Sequence, residues 1–267
     1  HARTGFFLDV MDCRFEETGP VLDALEAGTL QVLCLGDGFH SEKRGESRWH
    51  DAFLEYSHGF RKHRAMDAEM RESLGVMEMV MECKRAFPEN FHFLKGNHEN
   101  ILNEEGRGNH PFRKYSYEGE MVRDWVLRFY GSDFLETHAL FERSLPLFAI
   151  GPRFLASHAE PFALYGEDEL IETRTRPDVV LGLTWTDNGA APEGVVQAML
   201  DRYLPGEPDS VYFGGHRTVT GQYRYRAGNR YVQIHTPEMQ NTALVSPDRD
   251  FDPATDLRII PKGERRG

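Results

Sequence analysis

Four short segments carry the residue types that could do chemistry: Gly36-Asp37, Gly96-Asn97-His98-Glu99, Ser157-His158-Ala159-Glu160 and Gly214-Gly215-His216-Arg217. Each follows an apolar run that reads as a strand, namely QVLCL, FHFL, RFLA and VYF. Strand-end loops are where an α/β sheet gathers ligands from distant parts of a chain. An Asp, an Asn and two His delivered that way suit hard or borderline divalent ions. Two such ions, roughly 3.5–4 Å apart, are the equipment for in-line displacement at phosphorus.

The roles divide by chemistry. Asp37 is read as the carboxylate shared between two cations. Asn97 offers a neutral oxygen, which binds a cation without adding charge that would repel a phosphate. His158 and His216 complete the second ion's shell. His98 is read as the proton donor for a leaving alkoxide, with Glu99 beside it orienting and charging the imidazole. Taken singly, each has a plainer reading: a turn aspartate, a polar turn after a strand, a satisfied core histidine. The chain contains its own control in Gly108-Asn109-His110, which follows no strand, lacks the acid and reads as loop. Strand context, more than letters, carries the assignment.

Elements must place these residues. Residues 20–27 read as a short helix, with Pro at its start and Gly28 beyond its end. Trp49 to Phe87 is helical in pattern, with Met66, Met70, Leu74, Met77, Val80 and Met81 as its core stripe. Pro88 stops it. A loop covers about 103–119, and MVRDWVLRFY and DFLETHALFER read as helices. LPLFAI and RFLASH read as an antiparallel pair across Gly151-Pro152. DSVYFGGH, GQYRYRA and RYVQIHT supply late strands, with a hairpin turn at Ala227-Gly228-Asn229. The expectation is one α/β domain over 1–267, with helical insertions at about 45–86 and 103–140.

Composition sets limits. The hydrophobic fraction of 40% supports a sizeable core and excludes a disordered chain. A net charge of -12 argues against nucleic-acid binding that rests on phosphate neutralisation. Cys13, Cys34 and Cys83 are scattered and odd in number, so no disulfide framework is expected and a reducing, cytoplasmic setting fits. No apolar run approaches a membrane span. The helical His50, His58 and His63, with Arg61, Lys62 and Arg64, are read as a solvated face, and His235 as core.

The residues resemble the calcineurin-like metallophosphoesterase superfamily, in particular its phosphoprotein-phosphatase branch. Gly36-Asp37 is similar to the family's Gly-Asp block and Gly96 to Glu99 to its Gly-Asn-His-Glu block. LPLFAIGPRFLASHAEP resembles the stretch around a late metal histidine, Leu183 to Asp187 its Trp-Ser-Asp segment, and FGGHRTVTGQY its final Gly-His block. The resemblance implies a sandwich of two mixed β-sheets flanked by helices, with two divalent ions (Mn, Fe, Zn or Mg; Mn expected in vitro). It implies attack of a metal-held hydroxide on a phosphomonoester, with phosphoprotein Ser/Thr among the substrates. The alternatives are a nucleotide phosphohydrolase or phosphodiesterase with the same site, or a degenerate relative that binds metal or a partner without turnover.

Two departures bear on the site. The family's first ion takes an upstream Asp-x-His block. His1-Ala2-Arg3 is read as the remnant of that block, with native residues expected ahead of it. The alternative is Asp9-Val10-Met11 after the strand-like run GFFL, where Met11 would be a soft ligand for a hard cation. The family's Gly-Asp block also continues to Asp-Arg-Gly, whose Arg grips phosphate in a fork. Here it runs Gly38-Phe39-His40-Ser41-Glu42, leaving His40 and Arg217 as weak substrate-binding candidates, beside Arg44 and Arg107.

Overall fold

Two parallel strands, Val32–Cys34 and Phe91–Phe93, form one sheet of the computed structural model, which describes residues 1–263. A second, mixed sheet has five strands in the order Phe148–Ile150, Phe154–Ser157, Val211–Gly214, Tyr231–Gln233, Arg224–Arg226. Its three central strands are mutually parallel, and the outer strand on each side is antiparallel to its neighbour. All seven strands fall within the runs expected from sequence. Each is only three or four residues long.

Burial sorts into layers. Leu94, Ala156, Val211, Phe213 and Val232 form a dry seam with Leu33 and Leu35, where one sheet lies on the other. Leu25, Met70, Met77 and Val126 pack helices Val21–Glu26, Arg64–Ala86 and Glu118–Phe129 against Phe91 and Phe93 of the parallel pair. Leu183 and Met199 pack helices Pro177–Thr184 and Val195–Tyr203 against Leu155 and Tyr212 of the larger sheet. The result is helix, sheet, sheet, helix: the α/β sandwich expected, with its first sheet reduced to a parallel pair.

Local chemistry explains the helices. The long helix buries Met66, Met70, Met77 and Val80 on one stripe, as its periodicity predicts. The helical pattern expected over Trp49 to Phe87 is divided between two helices, Glu46–Ser57 and Arg64–Ala86. The chain reverses between them through left-handed Gly59 and Phe60 (φ 64° and 54°). The run GFFL is not a strand; it belongs to helix Thr4–Asp12. Among the described residues no helix is long and apolar enough to cross a membrane.

The site follows from strand direction. The three parallel central strands end at Ser157, Gly214 and Gln233, and the parallel pair ends at Cys34 and Phe93. The residues just beyond those ends are Asp37, Asn97, His158, His216 and His235.

Candidate metal centre

Asp37 occupies the middle of the cluster and is 4% exposed. Its Oδ1 accepts the backbone N–H of His98 at 3.1 Å. Its Oδ2 lies 3.3 Å from His158 Nε2 on one side and 3.4 Å from His1 Nδ1 on the other. Asn97 Oδ1 receives two imidazole nitrogens, His158 Nε2 at 2.9 Å and His216 Nδ1 at 3.0 Å. His158 is fixed from behind by its Nδ1, 2.7 Å from the Leu35 carbonyl, which makes Nε2 the nitrogen that faces the cluster. The expected residues Asp37, Asn97, His158, His216 and His1 thus converge on one point.

Backbone geometry carries the cost of that convergence. Asp37, His40 and His216 have φ of 63°, 60° and 21°, a region that side chains with a Cβ avoid. Each such residue costs on the order of 1–3 kcal/mol and persists only where its surroundings over-determine it. Gly36 (φ 92°) and Gly96 meet back to back. A Cβ on Gly36 would sit 2.5 Å from Gly96 N, and one on Gly96 would strike the Asp37 carboxylate.

Glu99 is what over-determines the Asp37 turn. One carboxylate accepts three backbone amides: Asp37 at 2.9 Å, Gly38 at 2.7 Å and Gly96 at 2.6 Å. Its oxygens therefore serve the two strand-end loops and do not orient His98, which corrects the role read from its adjacent position. The groups near His98 are different ones. His40 Nδ1 lies 3.2 Å from His98 Nδ1, so one of the two carries the hydrogen between them. Glu42 Oε1 is 3.8 Å and Asp37 Oδ2 4.0 Å from His98 Nε2.

The fit of this pocket to cations can be tested on its own atoms. Asp37 Oδ2, His1 Nδ1 and His216 Nε2 are buried with no hydrogen-bond partner. Burial pushes the Asp37 carboxyl up, but His158, His98 and His216 pull it further down, so it stands as an anion below the ordinary 3.8. Burial depresses His216 and His40 to about 3, His235 to about 4, and His98 well below 6.5. Burial thus favours the neutral form of these four rings, which leaves each a lone pair. A buried carboxylate oxygen, an amide oxygen and imidazole nitrogens about 3 Å apart suit a divalent ion as their common partner. The residues present fit the group.

Several expected residues lie elsewhere. His40 is buried behind His98 beneath the Phe112 ring (4.7 Å, 15°), so it does not face a substrate. Arg217 sits at the mouth, ion-paired with Asp187 and 47% exposed. Arg44 is held by Ala2 O and Glu72, and exposed Arg107 stands in a loop at φ 53°. Asp9 and Met11 are helical, and Asp9 accepts Gln240 Nε2 and Gly263 N, so the alternative first-ion block is not at the cluster. His50, His58, Arg61 and Lys62 are exposed, as a solvated face requires.

Sequence reasoning missed four contributors. His235 was read as core, yet its ring is 4.7 Å from that of His1. Its position beyond a strand end, like those of His158 and His216, was the available signal. Glu42, with His1 and His98, forms a trio whose ligand atoms lie within 4.8 Å of one another. Phe112 and Lys114 come from the covering loop: Phe112 packs 4.2 Å from the His98 ring and Lys114 pairs with Glu42. A cavity of about 230 Å³ opens here, lined by Asn97, His98, Lys114, Trp185, His216 and Arg217 among others.

No family model matches the chain, and no curated protein matches it. Among solved structures, a protein serine/threonine phosphatase from Saccharomyces cerevisiae with similarity to human phosphatase PP5 is similar at a TM-score of 0.46 and 17% identity. The match covers 73% of this chain and 67% of that one. At that distance the site rests on its own geometry.

Two outcomes follow. Glu99→Gln leaves one amide facing an NH₂ group instead of an acceptor, and is expected to cost about 1–3 kcal/mol. Urea unfolding should show a lower midpoint at unchanged slope. For pH, His40, His138, His216 and His235 have folded values of about 3 to about 4 against an ordinary 6.5, all lowered first by burial. The unfolded chain therefore binds more protons between those limits. Stability is full above pH 6.5 and falls as pH drops towards 4, each histidine adding about 1.4 kcal/mol per pH unit. Urea midpoints at pH 7 and pH 5 check it.

Proposed function

We propose that this chain is a divalent-metal-dependent phosphoesterase that hydrolyses phosphomonoesters, phosphoprotein Ser/Thr among them. The observation that carries the reading is the free, buried Asp37 Oδ2 standing between His158 and His1, 3.3 and 3.4 Å away, with Asn97 and His216 closing one side. Asp37, Asn97, His158 and His216 would hold one ion, and Asp37 with His1 would reach the other. Bound there, the ions would supply positive charge at the phosphate oxygens and acidify the attacking water.

The chain's own groups do the rest. His98 Nδ1 is engaged with His40, which fixes the ring and turns Nε2 towards the cavity. From there Nε2 delivers a proton to the leaving oxygen, and the Asp37 carboxylate favours the charged ring against the burial that lowers its pKa. Asn97 contributes an oxygen without charge, so the donor set of Asp37, Asn97, His158 and His216 carries one carboxylate rather than two. Phe112 and Trp185 wall the cavity and limit water.

Lys114 replaces the missing arginine fork. It is 43% exposed at the mouth and rests on Glu42. A phosphate is a better partner for that ammonium than a carboxylate shared with His98, and the exchange frees Glu42 to face the imidazole. Arg113 and Arg217 stand at the same rim, each already paired, with Glu120 and Asp187.

Hydrolysis of an aryl phosphomonoester with and without Mn²⁺, alongside His98→Asn and Asp37→Asn, tests the reading. Turnover is expected with Mn²⁺ and a fall of at least about 100-fold in kcat in His98→Asn. Mn²⁺ is expected to raise the unfolding temperature of the parent and of His98→Asn, but not of Asp37→Asn. Bound Mn²⁺ without turnover on any phosphate ester would refute the enzyme reading and leave the metal site standing. Lys114→Ala should raise KM about tenfold with little change in kcat, as expected when binding common to ground and transition states is removed.

A further inference from the structure

One position of the candidate centre is short of donors. Beside the set formed by Asp37, Asn97, His158 and His216, the other ion meets only Asp37 Oδ2 and His1 Nδ1. These two atoms are 3.4 Å apart and buried with no hydrogen-bond partner. A divalent ion takes four donors or more, at about 2.0–2.2 Å. Neighbouring donors of one shell therefore stand about 3–3.5 Å apart, and opposite ones about 4.3 Å.

Two further atoms are near enough to help. His98 Nε2 is 4.0 Å from Asp37 Oδ2 and 3.8 Å from Glu42 Oε1. His1, Glu42 and His98 each offer a ligand atom within 4.8 Å of the other two. What else they do tells them apart. His98 is engaged through Nδ1 with His40 and turns Nε2 to the cavity. Glu42 rests one oxygen on Lys114, while its Oε1 accepts no hydrogen bond among the described residues. A carboxylate clamped at one oxygen presents the other in a fixed place, as the outer partners of ligating carboxylates do.

The backbone beneath Glu42 is fixed as well. His40 N donates to Ser73 Oγ at 3.2 Å, and Ser41 N to Oε1 of the buried Glu69 at 2.7 Å. Trp49 Nε1 donates to the Ser41 carbonyl at 2.6 Å. One strand-end loop thus carries Asp37 and Glu42, and left-handed turns at Asp37 and His40 bring both carboxylates to His98.

Charge favours the carboxylate over the imidazole as the missing donor. Ligating imidazoles are neutral, and Asn97 adds no charge. Two divalent ions against Asp37 and Glu42 leave a surplus of about two positive charges, the amount that a phosphate monoester near pH 7 neutralises.

We propose that Glu42 is a metal ligand, joining Asp37 and His1 through Oε1, while His98 stays unligated beside it as the proton donor. The proposal rests on the metal-dependent reading above and adds a ligand to it.

Metal analysis after equilibrium dialysis of the full chain against Mn²⁺ tests it, with electron paramagnetic resonance as a second readout. The parent is expected to bind two ions that share Asp37 and give an exchange-coupled spectrum. Glu42→Gln should weaken one of them at least about tenfold and leave the hyperfine spectrum of an isolated Mn²⁺. Lys114→Ala should keep both ions, which separates loss of the ligand from loss of the Lys114 ion pair. His98→Asn should keep both as well. The pair with Lys114 stands at the mouth, where such pairs contribute little, so the urea midpoint of Glu42→Gln should stay near the parent's. Two coupled ions in Glu42→Gln at the parent's affinity would overturn the proposal. So would a parent that binds fewer than two ions, or loss of an ion in His98→Asn but not in Glu42→Gln. Failure of the phosphoesterase reading looks different: both ions bound, one of them dependent on Glu42, and no turnover on any phosphate ester.

Discussion

One buried carboxylate holds the candidate site together. Glu99 takes the amide hydrogens of Asp37, Gly38 and Gly96, and so ties the loop after one strand of the parallel pair to the loop after the other. Those amides lie at strand ends, where no ladder partner remains and an unmet donor is costly. Meeting all three with one side chain makes the left-handed turn at Asp37 the lowest-energy path. The glycines at 36 and 96 leave room for it and nothing more. Burial and the neighbouring Asp37 both push the Glu99 carboxyl up, so the clamp works against an electrostatic strain that its amide partners offset. Lys95 bonds the Glu99 carbonyl from behind, its amine pushed down by burial and pulled up by Glu142 and Glu99.

With that turn fixed, the rest of the centre is a matter of which strand ends meet it. The larger sheet contributes its histidines from three adjacent parallel strands, and neighbouring strands lie about 4.8 Å apart. His158, His216 and His235 are thereby delivered along one edge without any of them needing a long or irregular loop. The hydrogen bond from His158 to the Leu35 carbonyl is one direct link between the two sheets at this edge, beside the contacts of Asn97 with His158 and His216. It fixes the tautomer of one donor and the docking of the layers together.

What could be read from the chain alone was the set of strand ends. Asp37, Asn97, His158 and His216 were legible because an apolar run followed by a polar residue marks where a strand stops, and strands in one layer stop at one edge. The α/β class was legible for the same reason, whereas the sandwich was an implication of the family resemblance. Contacts made across the layers were not. The position of Glu99 beside His98 suggested a partnership, but successive residues in a tight turn point apart, and the carboxylate finds amides 61 and 62 residues away in the chain instead. Glu42, Phe112 and Lys114 lie in loops without periodicity, so nothing in spacing could bring them to His98. The break between the helices at Gly59 was hidden by apolar periodicity that continues on both sides of it.

The proposed donors of the candidate metal centre are drawn from His1 to His216, and the surrounding residues reach His235. No stretch of the chain owns a usable part of it: Glu42 apart, Asp37 is 36 residues from His1, and sixty residues and a two-helix excursion separate it from Asn97. Ion affinity is consequently a property of the finished tertiary structure. During synthesis an emerging chain would present isolated histidines and acids of no special avidity, safe from premature capture by whatever metal is abundant. Only when the larger sheet has closed on the parallel pair does the proposed donor set come together, so cation uptake there would be a late event and a readout of correct folding.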